Sequence, residues 1–74
     1  MLTSASTLYA APKVNINTAT VEQLVELPGI GEITATKIIN KRKELGKFKS
    51  LEDLKQVKGI SDKKFNKLKP FISI

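Results

Sequence analysis

The sequence contains no cysteine and no histidine. Disulfides are thereby excluded, as are the thiolate and imidazole ligands on which most zinc sites depend. Tryptophan is missing as well, and the remaining aromatics are three Phe at core-like positions and Tyr9 near the N-terminus. Nothing here resembles a stacking platform for the bases of a single strand. No run of ~18 apolar residues occurs, so these residues contain no membrane-spanning helix. Acidic residues are scarce: seven Asp and Glu face thirteen Lys and Arg, for a formal net charge of +6 and a pI near 9.8. Such a balance suits a polyanionic partner, nucleic acid or an acidic membrane surface, and serves solubility equally well. With 74 residues there is room for one small domain. A chain of that size buries roughly 60% of its unfolded surface, for a stability on the order of 3–5 kcal/mol.

What the chain does have is a distinctive turn, Leu27-Pro28-Gly29-Ile30-Gly31, between two stretches with helical periodicity. Glycine reaches positive φ without strain, so this segment can reverse tightly while Ile30 points inward and pins it. Gly31 falls where the next helix begins. The amides there lack intrahelical partners and face outward with the positive end of the helix dipole, which makes the turn a candidate anion site.

Residues 1–13 are poor in charge and rich in Ser, Thr and Ala, unlike the rest of the chain, and read as a flexible tail. The small residues leading to Ala10-Ala11-Pro12 resemble the cleavage end of a secretory signal, while a basic start and an apolar run of roughly 7–15 residues are missing. A remnant of a signal peptide and a simple disordered arm are both open readings. Residues 14–74 form the domain. Val14–Asn17 is an extended lead-in, and Asn17 or, better, Thr20 caps a first helix from about Val21 to Leu27, with Gln23 completing a capping box. Its apolar face is Val21, Leu24, Val25 and Leu27, and Pro28 stops it. A second helix runs from near Glu32 to about Leu45, with Ala35, Ile38, Ile39, Arg42 and Leu45 at helical spacing and Gly46 ending it at positive φ. Phe48 is expected to bury between the halves. Ser50, with Asp53 as box partner, caps a third helix that buries Leu51, Leu54 and Val57. After the turn Lys58-Gly59-Ile60-Ser61, a fourth helix from Asp62 to about Lys69 is capped by Ser61, buries Phe65 and Leu68, and ends before Pro70. Phe71, Ile72 and Ile74 read as a closing apolar strip.

Shifted by thirty residues, the chain overlays itself: TVEQLVELPGIGEITATKI falls on SLEDLKQVKGISDKKFNKL. Leu24 meets Leu54, Gly29 meets Gly59, Ile30 meets Ile60 and Gly31 meets Ser61. A single helical hairpin cannot bury its own apolar face, so the two copies should pack across a pseudo-two-fold and share one core. That packing sets the two turns side by side, each able to grip a phosphate on a different strand of a duplex.

The two turns and the lead-in resemble the tandem helix-hairpin-helix DNA-binding module. VNINTAT, VEQL and LPGIG followed by FKSLEDLKQVKGI are similar, over about residues 14–73, to the DNA-binding domain of the ComEA family of bacterial competence proteins. The resemblance implies an all-α, SAM-like fold, a pseudo-two-fold bundle of four to five helices. It also implies sequence-independent binding of double-stranded DNA through backbone amides of the glycine hairpins. A role in taking up transforming DNA is implied by the same likeness, in the periplasm or otherwise outside the cytoplasmic membrane, alongside components of a DNA-uptake machinery. Carried over, the phosphate-gripping positions are Gly29, Ile30 and Gly31 in the first turn and Gly59, Ile60 and Ser61 in the second. The second turn departs from the first in having Lys58 for Pro28 and Ser61 for Gly31, and the Ser61 hydroxyl could donate to the same phosphate. By resemblance, the carbonyls of Leu27 and Gly29 could hold a monovalent cation. No cofactor is implied.

Thr34 and Lys37, on the opening turns of the second helix, are expected beside the first turn, and Lys58, Lys63, Lys64 and Lys67 beside the second. Lys41, Arg42, Lys43, Lys47 and Lys49 form a further basic run in which solubility explains some members. Such contacts read charge and backbone shape rather than base edges. The carboxylates Glu22, Glu26, Glu52 and Asp53 sit at cap or surface positions that the helix dipole explains, so no catalytic pair is assigned and the chain reads as a binding module, not an enzyme. Two alternatives stand beside DNA uptake. One is a helical protein-interaction module whose turns are scaffolding; the other is a DNA-tethering piece of a repair or nuclease protein. Basic crowding around both turns favours DNA over a protein partner.

Overall fold

The computed structural model describes residues 13–74, so most of the segment read as a tail lies outside the described residues. Two helical hairpins enclose one core, as the repeat requires. Thr20 opens α1 (Val21–Leu24) through a complete capping box: its hydroxyl accepts from the Gln23 amide at 3.2 Å, and the Gln23 side chain accepts from the Thr20 amide at 2.9 Å. The α-helix is shorter than its periodicity suggests. From Glu26 onward the bonds tighten to the third residue back, Glu26 to Gln23 and Leu27 to Leu24, a 3₁₀-type end that leads into the turn. Then α2 (Glu32–Leu45) runs with the expected bounds and stops at Gly46, whose φ of 86° requires glycine.

The third expected helix is a 3₁₀ helix, Leu51–Gln56. Ser50 makes no side-chain cap, and the Asp53 carboxylate accepts from the amide of Lys49 instead of that of Ser50. At three residues per turn instead of 3.6, Asp53 is rotated by roughly 60° relative to its α-helical position, which takes the box out of reach. Its successor, α3 (Asp62–Leu68), is capped by Ser61, whose Oγ accepts from the Lys64 amide at 3.3 Å. The chain then continues helically through Pro70 in a 3₁₀ turn, Lys69–Phe71, rather than ending before it. Proline at the start of a helical turn loses no hydrogen bond, so the continuation costs little.

The register of the repeat is reproduced from the turns onward. Leu27 donates to Leu24 as Val57 does to Leu54, and Ala35 donates to Gly31 as Phe65 does to Ser61. Leu24 and Leu54, Ile38 and Leu68, Ala35 and Phe65 are buried in pairs around Phe48 and Ile16. The expected closing strip is not uniformly apolar inward: Ile72 is buried, while Phe71 and Ile74 are each 49% exposed. Leu45, the last residue of α2, is also exposed.

Three ties hold the lead-in in place that periodicity does not reveal. Short strands β1 (Val14–Asn15) and β2 (Ile72–Ser73) pair in parallel and join the two ends of the domain. Asn17 exchanges two hydrogen bonds with the Phe48 backbone, at 2.9 and 2.7 Å, and so acts as a clamp between the halves rather than as a helix cap. Arg42, assigned from sequence to the edge of the apolar face, donates from Nη1 to the carbonyls of Ile16 and Ala19.

Candidate nucleic-acid interface

Each hairpin turn is closed by one backbone hydrogen bond, Ile30 to Leu27 at 3.2 Å and Ile60 to Val57 at 3.0 Å. Its third residue is a glycine at positive φ, 77° at Gly29 and 101° at Gly59. A bond from the fourth residue to the first, with glycine third and Pro28 second, is the signature of a type II turn. Gly31 and Ser61 come next, and both are extended helix N-caps, with φ of −97° and −82°. Gly31 therefore does not serve the reversal of the chain. Replacing it by serine in the second turn changes nothing in the backbone.

Closing the turns occupies the Ile30 and Ile60 amides. Both isoleucine side chains are buried, so these residues anchor the turns from within and present no free donor to a ligand. Among the described residues, the amides of Gly29, Gly31, Glu32 and Ile33 have no hydrogen-bond acceptor, and nor do those of Gly59, Ser61, Asp62 and Lys63. These are the orphan donors of two helix N-termini, where the helix dipole favours negative charge. The Ser61 oxygen is used as an acceptor for the Lys64 amide, which leaves its hydroxyl hydrogen free to point outward.

The flanking side chains cross over between hairpins. Lys64, expected beside its own turn, reaches the first one and donates from Nζ to the Gly29 carbonyl at 3.1 Å. Thr34, thirty residues earlier and its register equivalent, stands by the second turn, with Oγ1 4.0 Å from the point where a Gly59 Cβ would lie. These reciprocal contacts place the two turns next to each other, as the pseudo-two-fold demands. They also bear on the carbonyls assigned to a monovalent cation: Leu27 accepts from Ile30 and Gly29 accepts from an ammonium, so the positive charge at Gly29 comes from the chain itself.

Lys37, Lys58, Lys63 and Lys67 are exposed, and among the described residues none of them pairs with a carboxylate. Two acids do lie near the N-termini, Glu32 and Asp62. Lys55 draws Asp62 aside at 3.5 Å, so the second turn carries the stronger unbalanced positive charge. Among the described residues there is no cluster of three His, Cys, Asp or Glu fit to hold a metal. No helix of the described residues is long and apolar enough to cross a membrane.

Comparison with known proteins agrees with this geometry. Residues 10–73 match the helix-hairpin-helix motif family. The chain is 46% identical over 61 residues to ComE operon protein 1 of Bacillus subtilis, covering 82% of this chain and 30% of that protein. It is 46% identical over 57 residues to endonuclease/exonuclease/phosphatase family domain-containing protein 1 of Rattus norvegicus, and 44% identical over 57 residues to the protein of that name from Homo sapiens. In both cases 77% of this chain and 10% of the relative are covered. The chain thus spans less than a third of the length of the curated relatives it matches. Two turns closed by the same bond, each leading into a capped helix, and a match over nearly the whole sequence establish that this chain belongs to the helix-hairpin-helix family.

Proposed function

We propose that this chain binds duplex DNA by its phosphates, without reading sequence, each turn holding one strand. The observation that carries this reading is the pair of adjacent helix N-termini with open amides, bracketed by lysines that have no acidic partner among the described residues. The amides of Gly29 and Gly31 to Ile33, and of Gly59 and Ser61 to Lys63, supply fixed donors. Lys37, Lys58, Lys63, Lys64 and Lys67 supply charge, and Ile30 and Ile60 hold the donors in place. The match to the helix-hairpin-helix motif family supports reading the site as one for binding rather than catalysis.

Within a larger protein, we assign this domain to a DNA receptor in uptake, exposed outside the cytoplasmic membrane. The likeness to ComE operon protein 1 supports the competence part of this reading. The likeness to the endonuclease/exonuclease/phosphatase family protein favours a second reading, in which the same grip tethers a separate domain to DNA. Deleting residues 14–74 from the full-length protein in competent cells separates the two: loss of DNA entry supports the receptor, and unchanged entry supports the tether.

The binding itself is tested by fluorescence anisotropy with two unrelated duplexes and a single strand across a salt series. Equal affinity for both duplexes is expected, with weaker binding of the single strand and a log–log salt slope of about −3 to −5 from ~3–5 phosphate contacts. Gly31→Glu supplies the site-directed arm, since a Cβ there meets nothing within 4 Å and the backbone is ordinary for any residue. A folded Gly31→Glu protein that loses at least about tenfold in affinity supports the turn as the grip. No binding by the parent at low salt, or parental affinity in that variant, makes the turns scaffolding.

A further inference from the structure

Between the outer face of α2 and the end of the 3₁₀ helix lies an open groove of about 280 Å³. Three lysines converge on it from two elements. Lys37 and Lys41 stand one helical turn apart on α2, and Lys58 enters from the second hairpin turn. Asn40 and Gln56 line the same groove and add amide donors, Gln56 leaning on Asp53 Oδ1 at 3.4 Å. Its one carboxylate, Glu44, is already paired with Lys41. The groove is continuous with the second turn, because Lys58 directly precedes Gly59 and Lys37 lies one turn along α2 from Thr34, the residue that faces Gly59.

The pseudo-symmetry makes this groove informative. Where the thirty-residue register holds, Lys37 corresponds to Lys67, Gln56 to Glu26 and Lys58 to Pro28, while Asn40, Lys41 and Glu44 lie on the part of α2 that extends beyond the length of α3. The first turn thus has one lysine and a carboxylate where the second has two lysines and an amide. Fold symmetry does not call for that excess of positive charge on one side.

We propose that this groove is an additional phosphate site, taking a phosphodiester of the DNA strand held by the second turn. The DNA footprint is then lopsided, extending further along one strand than along the other. Lys37 and Lys58 neutralise the phosphate, Asn40 and Gln56 donate to its oxygens, and Glu44 keeps Lys41 in reserve. This inference rests on the DNA-binding reading above, and the experiment separates the two.

A titration of the isotope-labelled domain with a short duplex, followed by NMR, reports both at once. The side-chain amide signals of Asn40 and Gln56 should move together with the backbone amides of Gly31 and Ser61. In parallel, Asn40→Asp should weaken duplex binding about fivefold and Glu44→Gln should strengthen it by a similar factor, each the effect of one near charge in water. Glu22→Gln changes net charge as Glu44→Gln does but lines no part of the groove, and should alter affinity by no more than about twofold because salt screens it. Asn40, Glu44 and Glu22 are exposed, so matched melting temperatures certify the fold. Turn amides that shift while Asn40 and Gln56 stay still, with both groove variants at parental affinity, overturn the groove and leave DNA binding standing. Absence of any shift overturns both.

Discussion

The two hairpins reach one geometry from different residues. In the first turn the reversal uses Pro28 and Gly29 and leads through Gly31 into the fourteen-residue α2; in the second it uses Lys58 and Gly59 and leads through Ser61 into the seven-residue α3. The closing hydrogen bond, the positive φ of the third residue, the buried isoleucine and the extended N-cap are common to both. Those four features are therefore what makes the turn. The second residue and the N-cap residue are free to vary, and what varies there is charge and size at the face proposed to meet DNA. Divergence between the copies has kept these turn features while changing buried partners, Ala35 for Phe65 and Leu27 for Val57, and the charge of the surface.

Leu24→Ala and Leu54→Ala test the common part most severely. Both leucines are fully buried at equivalent positions, and each truncation should cost about 2–5 kcal/mol. Against a margin on the order of 3–5 kcal/mol, denaturation followed by circular dichroism should find both variants largely unfolded. One variant that stays folded while its mate does not would show that the hairpins do not share their core equally. A smaller effect is expected at the turn glycines. Methyl groups have room at both, the nearest atoms being Lys64 Cε at 3.5 Å and Thr34 Oγ1 at 4.0 Å, so the cost of Gly29→Ala and Gly59→Ala is conformational. It should be about 1–2 kcal/mol each. Gly59 should suffer more, because its φ of 101° lies further from the left-handed minimum near 57°.

Much of this was legible because it depends on local pattern. The self-overlay at thirty residues located both turns, helical spacing with Gly46 gave the bounds of α2, and the Thr20 box and the Ser61 cap were local motifs, since each is written in residues close together in sequence. The misses have a common origin in contacts between distant residues. Asn17 reads as a second candidate cap behind Thr20 because its partner, the Phe48 backbone, is 31 residues away. The β1–β2 pairing is two residues long and carries no alternation to detect. At the site, proximity in sequence put Lys64 beside the second turn, while the pseudo-two-fold sends its ammonium to Gly29. Ile30 and Ile60 illustrate a different limit: both lie where the sequence puts them, yet closing the turn consumes the amides they were expected to offer.

Lys58→Pro would sharpen the comparison by making the second turn more like the first. Val57, at φ −76° and ψ 126°, already has the conformation that a proline imposes on the residue before it, and among the described residues the Lys58 amide has no acceptor. The substitution should raise stability by about 0.4–1 kcal/mol, measured by denaturant melts, through the lower entropy of the unfolded chain. It should also weaken duplex binding and flatten the salt slope by about one, because a phosphate-facing charge is lost. A stabilised protein with unchanged salt slope would remove Lys58 from the interface.

The mildest expected change, Gly31→Ser, asks why the first hairpin has a glycine at its N-cap at all. The backbone there is extended, a conformation open to any residue, and a Cβ would touch nothing. Neither strain nor internal crowding accounts for it. Serine should even help, by a few tenths of a kcal/mol, because its hydroxyl could cap α2 as Ser61 caps α3. What glycine uniquely offers is close approach of something outside to the backbone amides. Gly31→Ser should therefore melt slightly higher and bind duplex DNA more weakly than the parent, while the reciprocal Ser61→Gly should melt slightly lower and bind at least as well. Stability and affinity moving in opposite directions in both variants would assign Gly31 to the approach of a phosphate. Affinity that tracks stability instead would make the two N-caps interchangeable and leave the asymmetry of the hairpins to their lysines.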